Sequence, residues 1–444
     1  MSKIKHGGNY KRIFVSMLQA LFIEENKEKV IEGLKKRYLL EIEGMLSIIK
    51  KILYLYDDKR KIQLKRDGFF FNKISRQISK FIKIGKKKKA IDLYDKYYNI
   101  KLNLTYRKTI LSSVSKELLK NLLRIPNIPH KYVKKGYSSK ENEIIYKYGK
   151  FNLSTIKKLY HWDLSKKLDL INYELGTKIS GSGFSVYKGK LARLHRAMIE
   201  YFLKYNLQEG YIEYSVPYLV KPVAAIATGQ LPDKEAQMYY LPQDNLYLIP
   251  TGELPLMNCY REIILKETQL PIKMTTYTPC FRREAGSYGV NVRGLNRLHQ
   301  FDKVEIIQIT APEFAYYALQ EMVQHVKNIL ISLKLPFRLL RLCGGDMGFT
   351  SAITYDFEVY SYAQNQWIEV SSISNCTYFQ SNRLKLRYKK TNRGKTQICH
   401  SLNGSSIAIQ RVLAVLLENY QTDKSIEIPE TLTPYTGFKE ILFP

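Results

Sequence analysis

The chain has 444 residues, of which 45% are hydrophobic, and it carries a formal net charge of +31. This length can bury a sizeable core in about two domains, and apolar runs such as 45–55 are interrupted by lysines well short of the roughly 20 residues that a membrane span needs. Five scattered cysteines without metal-ligand spacing predict free thiols in a reducing, cytoplasmic setting, not disulfides or a zinc site.

The positive charge is concentrated near the N-terminus. Residues 1–130 contain 31 Lys and Arg against 12 Asp and Glu, whereas the rest of the chain carries only +12. This surplus predicts a polyanionic partner such as a nucleic acid. Compositional drift of the coding sequence is the alternative, because Lys, Ile, Asn, Tyr and Phe are all abundant. Drift alone does not explain why the charge is concentrated in one part of the chain.

The first 16 residues are basic and contain no acidic residue. A transit peptide is one interpretation of this segment. Its short length, its lysines and its shortage of serine favour a basic extension or a misplaced start codon.

A helical pattern runs from about residue 45 to residue 125. Two apolar seams with helical spacing, 71–81 and 104–125, are separated by Gly85 and the lysine run 86–89. This arrangement predicts an antiparallel two-helix arm with a basic tip, and an ordinary helical bundle is the alternative.

Two prolines in 124–129 end the helical region, because proline does not continue a helix. A Lys- and Tyr-rich linker follows over 131–160, and a second domain starts near His161. A helix is predicted over 191–207. It is followed by a strand over 214–220 that contains Pro217. This proline indicates a sheet edge or, equally well, the end of an ordinary strand.

The most informative stretch is 279–305. It consists of a strand, a basic glycine-rich loop and a return strand. Guanidinium groups bind phosphate oxygens in pairs, and glycines let the backbone approach a ligand, so the loop predicts a polyphosphate site. A solvated basic hairpin is the alternative. The loop residues concerned are Arg282, Arg283, Arg293 and Arg297, with Gly286, Gly289 and Gly294.

The return strand adds an aromatic ring and a carboxylate. A period of two places Phe301, Glu305, Ile307 and Ile309 on one face, with Phe301 and Glu305 about 13 Å apart. Such a pair can hold a flat base and an ammonium group of one elongated ligand.

Downstream, 354–360 and 367–380 predict adjacent antiparallel strands around the loop 361–366. An apolar helical face then follows, made by Ile407, Val412, Val415 and Leu416, with Arg411 on another face.

The stretch 279–305 resembles motif 2 of the class II aminoacyl-tRNA synthetases, in the form found in the seryl-tRNA synthetases. The segments FRREAGSYG, RGLNRLHQF and KVE occur in the order and spacing of that family. YSVPYLV resembles motif 1, SLNGSSIAIQRVLAVLLENYQ resembles motif 3, and the resemblance extends from about Met17 to the C-terminus.

The resemblance implies an α+β protein with an N-terminal antiparallel coiled-coil arm and a class II catalytic domain whose mostly antiparallel sheet is flanked by helices. The implied organisation is a basic extension (1–16), a helical tRNA-binding domain (17–130), a linker (131–160) and the catalytic domain (161–444). Pro217 has the position that the family uses in its dimer interface, so a homodimer is expected.

The resemblance also implies an activity. Serine and ATP would give seryl-adenylate and pyrophosphate, and the seryl group would then pass to the 3′-terminal adenosine of a tRNA whose long variable arm is gripped by the helical arm. No membrane partner is expected. Mg²⁺ would accompany ATP, held by Glu369 and Ser372. Since a regular strand would point these two residues to opposite faces, the sequence predicts a bulge or bend over 370–372.

Site residues follow from the resemblance position by position. For catalysis they are Arg282, Arg411 and Glu369. For ATP they are Arg282, Arg283, Glu284, Arg297, Phe301, Glu369, Val370, Ser371, Ser372 and Arg411. For serine they are Thr251, Gly252, Glu253, Arg282, Glu305, Asn403 and Ser405.

Some positions depart from the family pattern, which places efficiency in question more than reaction type. They are Gly183, Asp233, Lys234, Gly252, Asn291 and Tyr378. Three other functions stay open at this point: a synthetase-like binding or regulatory factor that no longer charges tRNA, a non-catalytic coiled-coil RNA-binding protein, and another class II synthetase.

Overall fold

A computed structural model of the chain describes residues 19–37, 42–63, 67–149, 158–233, 236–284, 293–391 and 393–444, with backbone only for 67–70. The N-terminal extension, Gly286, Gly289, Asn291 and Lys234 lie outside this part of the chain. Two compact units are formed, one by Met1–Glu32 and Leu40–Pro126, the other by Gly33–Leu39 and Asn127–Pro444. Among the described residues, no helix combines the length and apolar character that crossing a membrane requires.

The first unit is helical. Its longest helix, α5, runs antiparallel to the helices before it: the Phe71 and Tyr97 rings stack at 4.9 Å, and Lys51 pairs with Glu117 at 2.6 Å. Gly85 makes the reversal with a φ of +72°, a value that glycine adopts readily. The helices are α1 (Ala20–Glu25), α2 (Lys27–Arg37, which ends in the second unit), α3 (Ile42–Gln63), α4 (Asp67–Lys83) and α5 (Lys87–Leu122).

The predicted antiparallel helical arm with a turn at Gly85 is confirmed. Lysines 86–89 are exposed at the tip, where they form the turn and the first residues of α5. The part before the turn contains two helices, α3 and α4, and both pack against α5. Apolar seam residues such as Ile78 and Leu118 are buried between them, which is the packing that a heptad pattern predicts.

The second unit contains both strands and helices. In chain order they are β1 (Glu143–Tyr148), α6 (His161–Lys167), β2 (Ile171–Asn172), α7 (Tyr173–Ser180), β3 (Val186–Tyr187), α8 (Gly189–Gln208), β4 (Ile212–Glu213), β5 (Leu219–Val220), α9 (Pro222–Thr228), β6 (Tyr240–Leu241), β7 (Leu246–Leu248), α10 (Glu253–Asn258), β8 (Ile264–Lys266), β9 (Ile272–Phe281), β10 (Gln300–Thr310), α11 (Ala315–Ser332), β11 (Phe337–Arg341), β12 (Ile353–Ser361), β13 (Gln366–Thr377), α12 (Phe379–Leu384), β14 (Arg387–Lys389), β15 (Gln397–Ile398), β16 (His400–Ala408), α13 (Ile409–Asn419), β17 (Ser425–Glu427), α14 (Thr433–Thr436) and β18 (Glu440–Leu442).

One large sheet organises this unit. Within the described residues its strand order is β1-β11-β12-β13-β16-β10-β9-β4, and every neighbouring pair is antiparallel except β4 beside β9. Helices α8, α11 and α13 bury their apolar residues in the core that contains Val304 and Ile306 of β10. Ile307 and Ile309 of the same strand belong to a separate apolar cluster. The predicted α+β architecture is confirmed.

Three details differ from the sequence-based expectations. Segment 214–220 is not one strand, because Pro217 lies between β4 and β5 and has no N–H for a ladder. The predicted linker contains β1, which pairs with β11 at the sheet edge. Ile407 belongs to β16, so the predicted apolar helical face begins only after it. The helix α13 starts at Ile409.

Candidate active site

The predicted phosphate loop begins where β9 ends. The Arg282 N–H donates to the His299 carbonyl at 2.9 Å, and its Nε donates to the Pro250 carbonyl at 3.3 Å. The Arg282 guanidinium carbon lies 5.1 Å from the centroid of the Phe301 ring. These contacts hold the Arg282 guanidinium beside Phe301, the ring that the resemblance assigns to ATP.

Arg297 and Glu284 form an ion pair at the two ends of the loop. The φ of Glu284 is +49°, which places this residue in the left-handed region. Glu284 is largely buried, whereas the Arg297 side chain is 44% exposed. Of the four loop arginines, Arg283 and Arg293 line neither cavity. The Arg283 guanidinium lies 4.8 Å from the Tyr239 ring and its Nε donates to the Met238 carbonyl, whereas Arg293 lies over the Trp162 ring.

The predicted bulge in β13 is confirmed. Ser371 pairs with Phe357 of β12 and Glu369 pairs with Glu358, so Val370 is the extra residue. The bulge moves the alternation by one position and brings Glu369 and Ser372 to the same cavity. The buried Ser371 hydroxyl donates to the Ser405 carbonyl of β16, which holds the bulge in place.

Hard oxygen donors therefore converge at the predicted metal position. Next to Glu369 and Ser372, Asp356 is half-buried, and its enclosed Oδ1 has no hydrogen-bond partner among the described residues. Burial and the charge of Glu369 raise the pKa of Asp356 well above its usual range. The donor set fits a hard divalent cation such as Mg²⁺, because oxygen ligands with excess negative charge are what that cation binds.

Arg411 reaches the same cavity from the first turn of α13. Its Nη1 donates to the Glu369 carbonyl at 2.8 Å and lies 3.3 Å from the Glu369 carboxylate. Its Nε donates to the Asn296 carbonyl at 3.3 Å. The helix thereby places a cation beside both the bulge and the end of the basic loop.

A buried carboxylate pocket lies farther along β10, around Glu305. Glu305 is 2% exposed, accepts a hydrogen bond from the Thr251 hydroxyl and pairs with Lys303. Lys303 was not predicted, although period two places it on the same face between Phe301 and Glu305. The alternation of the strand was the signal that could have identified it.

Glu253 and Asn403 meet in the adjoining part of the pocket. The Asn403 amide and the Gln380 amide both donate to Glu253 Oε1, and Asn403 Nδ2 also lies 3.5 Å from Cys376 Sγ. Burial raises the pKa of Glu253 to about 7 against the donated hydrogen bonds. A carboxyl group that can exchange its proton near neutral pH is therefore part of this pocket.

Replacement of Glu253 by glutamine is expected to change the pH dependence of stability. The folded pKa of about 7 lies above the ordinary 4.5, so between these pH values the folded state keeps a proton that the unfolded state has lost. The free energy of unfolding of the natural chain should fall by up to about 3 kcal/mol relative to Glu253→Gln as the pH rises from 4.5 to 7, and then level off. Urea unfolding of both chains checks this, and a constant difference across the range would contradict it.

The pieces line two cavities that share four residues, Arg282, Glu284, Arg297 and Lys303. The larger has a volume of about 700 Å³ and includes Thr251, Glu253 and residues 345–349. The smaller has a volume of about 180 Å³, and its other predicted lining residues are Phe301, Glu369, Val370, Ser371, Ser372, Ser405 and Arg411.

Four predicted site residues do not line either cavity. Glu305 and Asn403 contact lining residues, and Gly252 lies close to Glu305: a Cβ at Gly252 would be 3.4 Å from Glu305 Cγ and 2.9 Å from Thr276 Cγ2. Arg283 faces Tyr239, as described.

The other departures from the family pattern have local roles. Gly183 has a φ of +82°, and a Cβ there would lie 2.2 Å from the His299 ring, so this glycine is required by its surroundings. The Asp233 carboxylate accepts the Met238 N–H at 2.8 Å. Tyr378 is largely buried, and burial raises its pKa to about 12.

Comparisons with known proteins match nearly the whole chain. Two family models match: the seryl-tRNA synthetase N-terminal domain over residues 17–129, and the tRNA synthetase class II core domain (G, H, P, S and T) over residues 239–420. The serine–tRNA ligase of Salinibacter ruber is 44% identical over 428 residues, which cover 96% of this chain and 99% of that protein.

Two further relatives are similar along nearly their whole length. The serine–tRNA ligase of Thermotoga maritima is 42% identical over 429 residues, 96% of this chain and 100% of that protein. The crystal structure of seryl-tRNA synthetase from Pyrococcus horikoshii complexed with ATP matches with a TM-score of 0.85 and 29% identity, covering 96% of this chain and 100% of that one.

Proposed function

Because this chain belongs to the seryl-tRNA synthetase family, we propose that its two joined cavities form the site of serine activation and transfer. The chain is an ATP-dependent serine–tRNA ligase. The serine carboxylate attacks the α-phosphorus of ATP, which gives seryl-adenylate and pyrophosphate, and the seryl group then passes to the 3′-terminal adenosine of tRNA. The observation that carries this proposal is the continuity of a cationic cavity, containing Arg282 and Arg411, with the pocket at Glu305.

In the nucleotide part of the site, Arg282 contacts the α-phosphate and Arg411 the γ-phosphate. Phe301 and Arg297 lie on opposite faces of adenine, and Glu284 accepts from its amino group. The support for these roles is the lining of the smaller cavity. Little covalent chemistry is required of the protein, because alignment of the reactants and compensation of phosphate charge supply most of the rate.

Residues 369–372 complete the nucleotide part from β13. Arg283, which the resemblance also assigns to ATP, contacts Tyr239 and lines neither cavity, so it would reach ATP only after its side chain turns. Glu369 and Ser372 are the residues that would hold Mg²⁺, which neutralises phosphate charge when bound with ATP. The orphaned Asp356 oxygen beside them supports this choice. Arg411 donates to the Glu369 carbonyl. The residue proposed for the γ-phosphate is therefore hydrogen-bonded to the bulged strand that would hold Mg²⁺.

In the serine part, Glu305 and Thr251 hold the ammonium group, and Gly252 offers its backbone. Asn403 and Ser405 orient the hydroxyl, together with Glu253, which Asn403 contacts. These groups are polar and mostly enclosed. A ligand that lacks the hydroxyl would leave some of them unpaired, at a cost of roughly 1–3 kcal/mol for each buried group.

Serine should therefore be preferred over alanine by about 10⁴-fold or more in kcat/KM, as in other sites built to hydrogen-bond a hydroxyl. Pyrophosphate exchange with serine, threonine and alanine measures this and tests the proposed function at the same time. Comparable values for serine and alanine would remove the assignment of Asn403 and Ser405. Faster exchange with threonine or alanine would point to another class II activity, and no exchange with any of them to a non-catalytic protein.

The partners follow from the same family membership. Residues 17–130 bind the serine tRNA with the arm contacting its long variable arm. Residues 161–444 catalyse, and the predicted linker 131–160 joins the catalytic sheet through β1. Exposed lysines at the arm tip support the tRNA contact.

Two chains form a homodimer through the edge beside Pro217. The segments on either side of Pro217 expose apolar side chains, at Ile212, Tyr218 and Leu219. All five cysteines are free thiols, which supports a cytoplasmic protein. Localisation of the tagged chain checks the compartment.

A further inference from the structure

The end of the basic loop is held by a buried histidine that the mechanism above does not use. His161 is the first residue of α6, and its side chain is fully buried. The Leu295 N–H donates to His161 Nε2 at 2.8 Å. This bond requires Nε2 to be unprotonated, so the proton of the neutral ring lies on Nδ1.

The Nδ1–H donates in turn to Glu418 Oε1, 2.6 Å away. Glu418 is fully buried and also accepts from the His161 N–H at 3.0 Å, the Ser361 hydroxyl and the Gln364 amide. A buried carboxylate with this many donors is well satisfied, so it fixes the ring plane and the tautomer of His161.

The fit between the loop and the imidazole is tight on the loop side as well. Gly294 has a φ of +70°, and a Cβ at this residue would lie 2.1 Å from His161 Nε2. Arg293 lies over the Trp162 ring, with its guanidinium carbon 5.4 Å from the centroid. The backbone therefore approaches the ring at a distance that only glycine allows.

Helix α13 thus contacts the loop end at two points. Glu418 acts through His161 on the Leu295 N–H, and Arg411, seven residues earlier on the same helix, donates to the Asn296 carbonyl. The Asn296 amide also donates to Gln364, which contacts Glu418. The next residue of the loop is Arg297.

We infer that His161 is a positioning residue for nucleotide binding, which sets the loop end so that Arg297 and Arg411 lie where ATP requires them. His161 does not touch substrate, so its effect is on the placement of cations that do. The inference deepens the proposed function and rests on it for the choice of ATP as ligand. The Leu295–His161–Glu418 hydrogen bonds, called the clamp below, are independent of that choice.

Two substitutions separate the two hydrogen bonds of the ring. An asparagine amide reaches the position of Nδ1, so His161→Asn keeps a donor for Glu418 and loses the acceptor for Leu295. A glutamine amide reaches the position of Nε2, so His161→Gln keeps the acceptor and loses the donor to Glu418. Each variant is the matched control of the other.

The H161N variant is expected to raise the KM for ATP about five- to tenfold in pyrophosphate exchange, as expected for the loss of one net hydrogen bond, with the KM for serine unchanged. Amide exchange at residues 293–298 should be faster by a similar factor. The H161Q variant should keep the ATP KM within about twofold of the natural chain, even if its melting temperature falls more. If His161 had only a structural role, the ATP KM of each variant would instead rise in step with its loss of melting temperature.

An unchanged ATP KM in H161N, or an equal rise in H161Q, would overturn the inference. If H161N does not fold, Gly294→Ala is decisive, because it pushes the loop off the imidazole and leaves the Glu418 hydrogen bonds intact. A normal ATP KM in G294A would also overturn it. Failure of the proposed function is distinct, since the unaltered chain would then show no exchange with serine, whereas amide exchange would still report the clamp.

Discussion

Arg282→Ala is expected to lower serine-dependent pyrophosphate exchange by about 10³-fold or more while the fold stays intact. The guanidinium is held by the Pro250 carbonyl and the Phe301 ring in the nucleotide cavity. A pre-oriented cation of this kind stabilises charge that develops on the α-phosphate, and removal of one such group typically costs 10²–10³ in rate. Loss of its contact with the adenine-binding ring adds to the effect.

The control is Arg196→Ala, because Arg196 is an exposed arginine on α8, away from both cavities. Both variants should show the melting temperature of the natural chain to within a few degrees, since Arg282 lies in a cavity and not in the apolar core. Near-normal exchange in R282A would show that the basic loop does not bind the α-phosphate. A collapse of R196A would show that the assay reports folding.

Deletion of residues 61–110 is expected to reduce tRNA charging at least about 100-fold and to leave pyrophosphate exchange nearly unchanged. The deleted segment holds 15 Lys and Arg against 3 Asp and Glu. Since double-helical RNA is bound mainly through its shape and its phosphates, loss of this charge should also flatten the salt dependence of charging.

The structure shows where to cut. The Lys51–Glu117 and Arg60–Glu24 pairs remain in the shortened chain, and a short glycine turn can join α3 to the remaining part of α5. Replacement of lysines 86–89 by glutamine is the milder control, which should lower the salt slope without removing the helices. Normal charging by the shortened chain would mean that the surplus of positive charge is compositional drift.

Mixed dimers extend this experiment. If the arm of one chain contacts tRNA bound at the partner's active site, then dimers of arm-deleted and R282A chains should regain charging. The expected recovery is one active arm–site pair per mixed dimer. No recovery would mean that arm and site act within one chain, or that the chains do not pair.

Local patterns predicted much of this molecule. Alternating residues located β10. The family resemblance assigned Glu369 and Ser372 to one metal although a regular strand opposes them, which predicted a bulge over 370–372, and the structure has it at Val370. Pro217 marks the opposite limit, because the period-two pattern of 214–220 continues through it whereas the strands β4 and β5 stop on either side. A pattern of period two does not specify where a ladder is interrupted.

The His161–Glu418 pair could not be predicted in this way. The two residues are 257 positions apart, and neither interrupts its own helical pattern. Only the return of α6 to the end of α13 brings them together with Leu295. Lys303, in contrast, could have been predicted from the sequence. Its position in the strand places it on the same face as Phe301 and Glu305.

The bulge at Val370 has a further consequence for β13. Before it, buried Ile368 alternates with exposed Glu369; after it, the phase inverts, with Ile373 buried and Ser372 half-buried. Each half of the strand alternates buried and more exposed residues next to the bulge, and the extra residue Val370 joins two halves of opposite phase. Loss or gain of a single residue here would exchange the polar and apolar sides of one half, whereas a change of two would restore the phase. Insertions and deletions in this strand should therefore be tolerated better in pairs than singly.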